Sequence, residues 1–340
     1  MQGGIMPAER LWIITGAEGF LGNNLVRELL GRGERVRALT YDSWPQPSLA
    51  GLDCEVVPAD VTDEAALVRA FTTSPAIRSI VVHCAGIVSI ASHVSKAVAL
   101  VNVEGTRNVI TACERTGVSR LVYVSSVHAI TEPDPPRTIT EVDDAAGFDP
   151  DAVTGEYAKT KAEATALVLA AGQLDCVVVH PGGLIGPNDF AESHTTRLIR
   201  DAAGGQLTAV VEGGYDFVDA RDVAAAIVTA ALEAPKGRTY LLSGAYTPVA
   251  ELVNTIAELT GRKRRFTVLP LWFARLTAPL AELYYRIRRT KPLFTTYSLR
   301  TLQSPSDFSH ARATEELGFA PRPLRQTLAD TIAWLGLQPT

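Results

Sequence analysis

The run RLWIITGAEGFLG, residues 10 to 22, admits few backbone paths. Leu11, Trp12, Ile13 and Ile14 are continuously apolar, as a central parallel strand covered on both faces requires. Thr15 ends the run, and Gly16, Gly19 and Gly22 follow at three-residue spacing. The missing Cβ atoms permit a tight turn, let the backbone come close to a pyrophosphate, and let a helix pack on the sheet. From Phe20 onward Leu21, Leu25, Val26, Leu29 and Leu30 fall on one helical face, so free N–H groups and the helix dipole meet at the turn. Gly31 and Gly33 close that helix, and RVRALT at 35–40 supplies a second strand. The result is a βαβ unit with a phosphate cradle at its first turn.

The alternation continues. Further strands are expected at 54–57, 79–84, 121–125 and 175–180, separated by helices near 62–72, 94–116 and 155–172. Strands alternating with helices predict an α/β fold, a Rossmann-type doubly wound parallel sheet whose ligands sit beyond the carboxyl ends of the strands. After Pro187 the pattern changes to shorter strands at 208–211, 217–219 and 239–242, with helices near 195–203, 221–233 and 248–260. The chain therefore divides into a dinucleotide-binding part, 8–187 plus 208–242, and a smaller C-terminal substrate-binding part, 188–207 plus 243–335. Helices near 310–317 and 323–335 close the chain and are assigned to packing.

Composition narrows the function. Of 340 residues, 46% are hydrophobic and 20% charged, as in an ordinary globular protein, and the net charge of −5 argues against nucleic-acid binding. Cys54, Cys84, Cys113 and Cys176 lie far apart, mostly within apolar strands, without the paired spacing of a zinc or redox site. They read as reduced core residues, and no metal is expected. The opening MQGGIMPAER has neither the basic region nor the apolar core of a secretory signal, so a cytoplasmic protein is expected.

Chemistry-bearing residues cluster at the predicted strand ends. Glu156-Tyr157-Ala158-Lys159-Thr160-Lys161 opens a helix and puts Tyr157 and Lys161 one turn apart on one face. A free tyrosine has a pKa of about 10, so acid–base work near neutrality calls for a cation to stabilise phenolate, and Lys161 can supply it. Ser125 and Ser126 end the strand LVYVSS, where a hydroxyl can bond a substrate carbonyl or alkoxide.

With those motifs the chain resembles the extended short-chain dehydrogenases/reductases of the NAD-dependent epimerase/dehydratase superfamily over nearly its whole length. The resemblance implies a catalytic triad of Ser126, Tyr157 and Lys161, with TGAEGFLG as the pyrophosphate loop through Gly16, Gly19, Phe20, Leu21 and Gly22. It further assigns Asp60 and Val61 to the adenine, Ala85 and Gly86 to the adenosine side, Asn102 to the family's helix asparagine, and Pro181 to the border of the nicotinamide. Tyr157 and Lys161 would also contact the cofactor, Lys161 through the nicotinamide ribose. Family members often dimerise through the helices near 94–116 and 155–172, so a homodimer is expected.

Either NAD or NADP satisfies this pattern. Thr40 stands where NAD-preferring relatives usually have Asp, and Tyr41 where many NADP-preferring relatives have Arg. Residues 40–53, TYDSWPQPSLAGLD, hold Asp42 but no Lys or Arg, and Arg37 is the nearest cation, which tilts the expectation towards NAD.

Substrate class follows from what surrounds the triad. The Asp-Glu that follows the active-site hydroxyl in sugar-nucleotide dehydratases is Val127-His128 here, and the nucleotide-binding asparagine of sugar epimerases has no counterpart in Val178-Val179-His180-Pro181-Gly182. By contrast VRALTYDS, VYVSSVHA, HPGGLIGP and DFVDARDVA resemble the dihydroflavonol reductase and 3β-hydroxysteroid dehydrogenase branch. Alcohol–carbonyl interconversion on an apolar small molecule is expected, with sugar-nucleotide epimerisation or cofactor sensing without catalysis as alternatives. His128 reads as a solvated loop histidine outside the catalytic set. The stretch VLPLWFARLTAPLAELYY, 268–285, is apolar but interrupted, and basic clusters at 262–265 and 286–291 flank it. It reads as a lid or buried helix, with peripheral membrane contact through 268–291 as the alternative.

Overall fold

The computed structural model describes residues 9–41, 47–89, 96–134, 136–262, 266–276, 302 and 307–337. Six parallel strands open the chain, with helices between all but the second and third: β1 (Arg10–Thr15), β2 (Arg35–Thr40), β3 (Glu55–Pro58), β4 (Arg78–His83), β5 (Arg120–Val124) and β6 (Cys176–Pro181), as far as the described residues show. The excursion that follows carries β7 (Gly183–Ile185), β8 (Ala209–Val211) and β9 (Gly214–Asp219) before the chain returns as β10 (Thr239–Leu242). β11 (Ala245–Pro248) and β12 (Thr267–Leu269) come last. The seven-stranded sheet has the order β10-β6-β5-β4-β1-β2-β3, every pair parallel. The order runs outward from β1 in both directions, which opens a crevice between β1 and β4 at their carboxyl ends.

Helices α1 (Phe20–Gly31), α2 (Glu64–Phe71), α3 (Lys96–Ala99), α4 (Gly105–Thr116), α5 (Glu156–Ala170), α6 (His194–Gly204), α7 (Ala220–Glu233), α8 (Val249–Leu259), α9 (Ala311–Leu317) and α10 (Leu324–Trp334) fall where periodicity predicts, within a residue or two. The expected helix 94–116 differs. Its residues 94–95 lie outside the described residues, and the rest is α3 and α4 joined by a π turn, Leu100–Glu104, that contains Asn102.

Strand residues alternate between two cores. Trp12, Ile14, Ile80, Val122 and Val177 pack against Leu25 and Leu29 of α1 and Val223 and Ile227 of α7. Leu11, Ile13, Val81, Leu121 and Val178 face Leu67 and Phe71 of α2, Val109 of α4 and Val168 of α5. β1, β4, β5 and β6 are thus covered on both sides, which is why the sequence shows unbroken apolar runs there, whereas the edge strand β3 is largely exposed. Ala313, Leu317 and Phe319 join the α1 and α7 side, so α9 packs on the main sheet. Residues 208–242 are shared between layers: β8 pairs with β12 and β9 with β7 and β11, whereas α7 and β10 belong to the large sheet.

All four cysteines are free thiols. Their expected strand placement needs correcting: Cys176 alone lies within a strand, Cys113 is buried on α4, and Cys54 and Cys84 are half-buried beside β3 and β4. Among the described residues no helix is long and apolar enough to cross a membrane. Of the stretch 268–291, residues 277–291 lie outside the described residues.

Candidate active site at the carboxyl edge of the sheet

The glycine turn between β1 and α1 is built on close approach. Gly16 has φ +66°, and a Cβ there would stand 2.7 Å from Ala85 Cα on the turn after β4. A Cβ on Gly22 would be driven into the Gly16 carbonyl. Gly19 is the N-cap of α1, with no side chain capping it and no acidic residue in the first turn. The N–H groups at Phe20, Leu21 and Gly22 therefore begin a helix that no carboxylate pre-empts, the arrangement that holds an anion.

The other expected cofactor residues line the same edge. Asp60 and Val61 form the turn after β3, where Asp60 accepts from the Thr62 amide at 2.9 Å and Val61 packs where a Gly105 Cβ would fall. Ala85 and Gly86 follow β4, and the Ala85 amide donates to the Thr15 hydroxyl. A Cβ on Gly86 would sit 3.3 Å from Asn102 Oδ1 and 3.5 Å from Lys161 Nζ, so that glycine keeps open a space shared by three expected site residues. Asn102 is buried in its π turn. It accepts from Ile87 N at 2.8 Å and donates to Ile87 O and to the Thr160 hydroxyl, both at 3.1 Å, which ties the β4 turn to α5. Pro181 ends β6, beside Leu242 of β10.

Ser126, Tyr157 and Lys161 converge between β5 and α5. Both serines sit at the strand end, but Ser125 Oγ bonds Thr165 Oγ1 at 2.7 Å inside the protein. Ser126 Oγ accepts from His128 N at 3.2 Å and lies beside the Tyr157 phenol. Tyr157 is 9% exposed, and burial pushes its phenol up to about 12, an effect the neighbouring Ser126 hydroxyl only partly offsets. Lys161 is 5% exposed. Its ammonium donates to Val124 O at 2.8 Å and lies 3.4 Å from the Tyr123 hydroxyl, over the Tyr123 ring. Burial brings it down to about 8, with Cys84 pulling in the opposite direction. The sequence led to a phenol made acidic by its neighbour; in the structure desolvation dominates both groups.

Several members of the site carry no local signal. Tyr123, on the inward face of β5, carries Lys161 over its ring and lies against His83, whose Nε2 bonds Thr106 and whose Nδ1 bonds Thr15 Oγ1 at 2.7 Å. Burial, reinforced by Lys161, lowers His83 to about 3 and keeps its imidazole neutral. His180 on β6 bonds the Ser126 carbonyl through Nδ1 at 3.1 Å and stacks on Phe148, anchoring the serine from behind. Alternation on β5 and β6 was the available signal, since inward polar residues in an apolar strand need partners. His128 requires a correction: it is half-buried on the 3₁₀ turn Val127–Ala129, and burial lowers its pKa, so it is no solvated loop residue.

An uncapped helix start, backbone-to-backbone glycine contacts and a phenol, hydroxyl and ammonium at the neighbouring strand end fit a nicotinamide dinucleotide and define a dinucleotide-dependent oxidoreductase. The chain belongs to the NAD dependent epimerase/dehydratase family, whose sequence model matches residues 12–243. It is an enzyme of the extended short-chain dehydrogenase/reductase type, with NAD or NADP as cofactor. It is 34% identical over 328 residues to sterol demethylase protein B of Methylococcus capsulatus, covering 95% of this chain and 97% of that one. A protein described as putative dihydroflavonol 4-reductase, from Synechocystis, is 28% identical over 95% of this chain and 94% of its own. The solved structure of gox2253 superposes with a TM-score of 0.81 at 28% identity, covering 96% of this chain and 98% of that one.

Proposed function

We propose that the enzyme interconverts a secondary alcohol and a ketone, or reduces an aldehyde, on a largely apolar small molecule, using Ser126, Tyr157 and Lys161. The observation that carries this reading is the placement of the buried Tyr157 phenol beside the Ser126 hydroxyl, one turn before the buried Lys161. Bound at the glycine turn, the dinucleotide supplies hydride transfer at the nicotinamide. Ser126 and Tyr157 hold the substrate oxygen, and Tyr157 delivers or takes the proton there. A phenol near 12 is protonated at neutral pH, which suits donation to a carbonyl. Lys161 would hold the nicotinamide ribose and stabilise the phenolate left behind.

The apolar character rests on two features. Ile87 and Val88, just past Gly86, expose apolar side chains beside the site, and the relatives above carry sterol and flavonoid names. Trp272 and Leu276 are exposed in the described part of the stretch 268–291, in keeping with contact to a lipophilic surface. A homodimer through α4 and α5 completes the proposal.

The test is turnover of nicotinamide absorbance against a panel of sterol, steroid and aryl ketones. Tyr157→Phe should retain dinucleotide binding and lose about 10²–10⁴-fold in turnover. Conversion of a nucleotide sugar with no net change in cofactor would identify an epimerase instead.

A further inference from the structure

The end of β2, where an adenosine ribose rests in this fold, carries no acidic residue in the described chain. Thr40 is buried and Tyr41 follows it with an exposed ring. Arg37, the nearest cation of β2, is committed elsewhere: it pairs with Glu55 at 2.9 Å and donates to Ala70 O at 2.6 Å. Asp42 lies outside the described residues, and among the described ones the carboxylate at this place comes from the glycine turn itself. Glu18, between Gly16 and Gly19, reaches across so that its Oε1 accepts from the Tyr41 amide at 3.0 Å, while Ala17 N donates to Leu39 O at 3.3 Å. Turn and strand end are thereby zipped together. The second oxygen, Oε2, is shielded from solvent and has no hydrogen-bond partner among the described residues. Burial raises the carboxyl's pKa, with the Tyr41 bond opposing.

An orphaned acceptor beside a ribose seat asks for a donor. We propose that Glu18 is the residue that selects NAD over NADP, its Oε2 accepting the adenosine ribose 2′-hydroxyl. A 2′-phosphate has no proton to offer at most physiological pH values and brings up to two negative charges against this carboxylate, with Arg37 already engaged. Selection thus comes from inside the phosphate loop instead of from the tip of the second strand.

The test is calorimetric dissociation constants of the full chain for NAD⁺ and NADP⁺, alongside Glu18→Gln and Glu18→Ala. Glutamine retains an oxygen to accept from the Tyr41 amide while its NH₂ removes both the charge and the second acceptor, so fold and turn survive. The native chain should bind NAD⁺ at least about tenfold more tightly, and Glu18→Gln should narrow that ratio about tenfold, chiefly by tighter NADP⁺ binding. Glu18→Ala should lose the preference as well. Equal binding of both nucleotides by the native chain, or an unchanged ratio in both variants, overturns the assignment. A native chain that binds neither overturns the nucleotide seat along with it.

Discussion

The Lys161 ammonium lies 2.8 Å from the carbonyl oxygen of Val124, two residues before Ser126, and that carbonyl is the shortest hydrogen bond recorded for it. The lysine is thus held by the strand that presents the serine.

A buried ammonium costs stability. Lys161 releases its proton near 8 when folded against 10.5 for the free side chain, a penalty of roughly 3 kcal/mol at about 1.4 kcal/mol per pKa unit. Below pH 8 both states are protonated and the penalty is fully present; from 8 to 10.5 the unfolded chain holds more protons, so stability rises with pH. Lys161→Met should therefore be more stable than the native chain by about 1–2 kcal/mol at neutral pH, after losing the Val124 bond, and the gain should vanish towards pH 10. Denaturant melts across pH check this, and turnover should fall by at least about 100-fold in the same variant.

The two serines should separate cleanly. Ser125 is spent on Thr165, so Ser125→Ala should cost about 1 kcal/mol of stability and leave turnover within about threefold. Ser126→Ala should cost a similar amount of stability through the lost His128 amide bond but lower turnover about 10–10³-fold. Paired melts and steady-state rates on the two variants decide.

Two glycines on α1 give opposite outcomes. Gly22→Ala forces a methyl into the Gly16 carbonyl and should destabilise by about 2–4 kcal/mol and weaken dinucleotide binding. Gly31→Ala, with open space around it at the last helical position, should stabilise by about 0.5–1 kcal/mol and leave binding alone. Thermal unfolding with and without dinucleotide reads both.

Arg120 ties three elements together far from the chemistry. Only 8% exposed, it grips Asp175 at 2.8 and 3.1 Å and donates to the Ala230, Ala231 and Ala234 carbonyls at the end of α7. Arg120→Met should cost about 2–3 kcal/mol by stranding those acceptors. Lysine, lacking the planar fork, should recover less than half, as urea midpoints will show.

Those residues mark how far the sequence could be read. The glycine turn, the alternation and the Tyr157–Lys161 spacing are local patterns, so they were legible, and predicted boundaries of the large sheet moved by a residue or so. β7, β11 and β12 went unread because their three or four residues, GLI, AYTP and TVL, are mostly exposed or half-buried and lack the apolar run that marked the equally short but fully buried β10. The π turn at Asn102 was hidden because it has the same composition as a helix. Glu18 reads as an ordinary loop residue until β2 folds beside it. The phenol's rise to about 12 likewise depends on burial, which spacing does not report.

The return of the chain at β10 has a consequence for biogenesis. β6 gains its outer neighbour only when residues 239–242 arrive, after the whole excursion through β9 and α7. A nascent polypeptide halted before Thr239 would present the backbone of Cys176–Pro181 as an open template, vulnerable to pairing with another unfinished copy. Completing the sheet this late makes the interval in synthesis between residues 176–181 and 239–242 the hazardous one in the life of this enzyme.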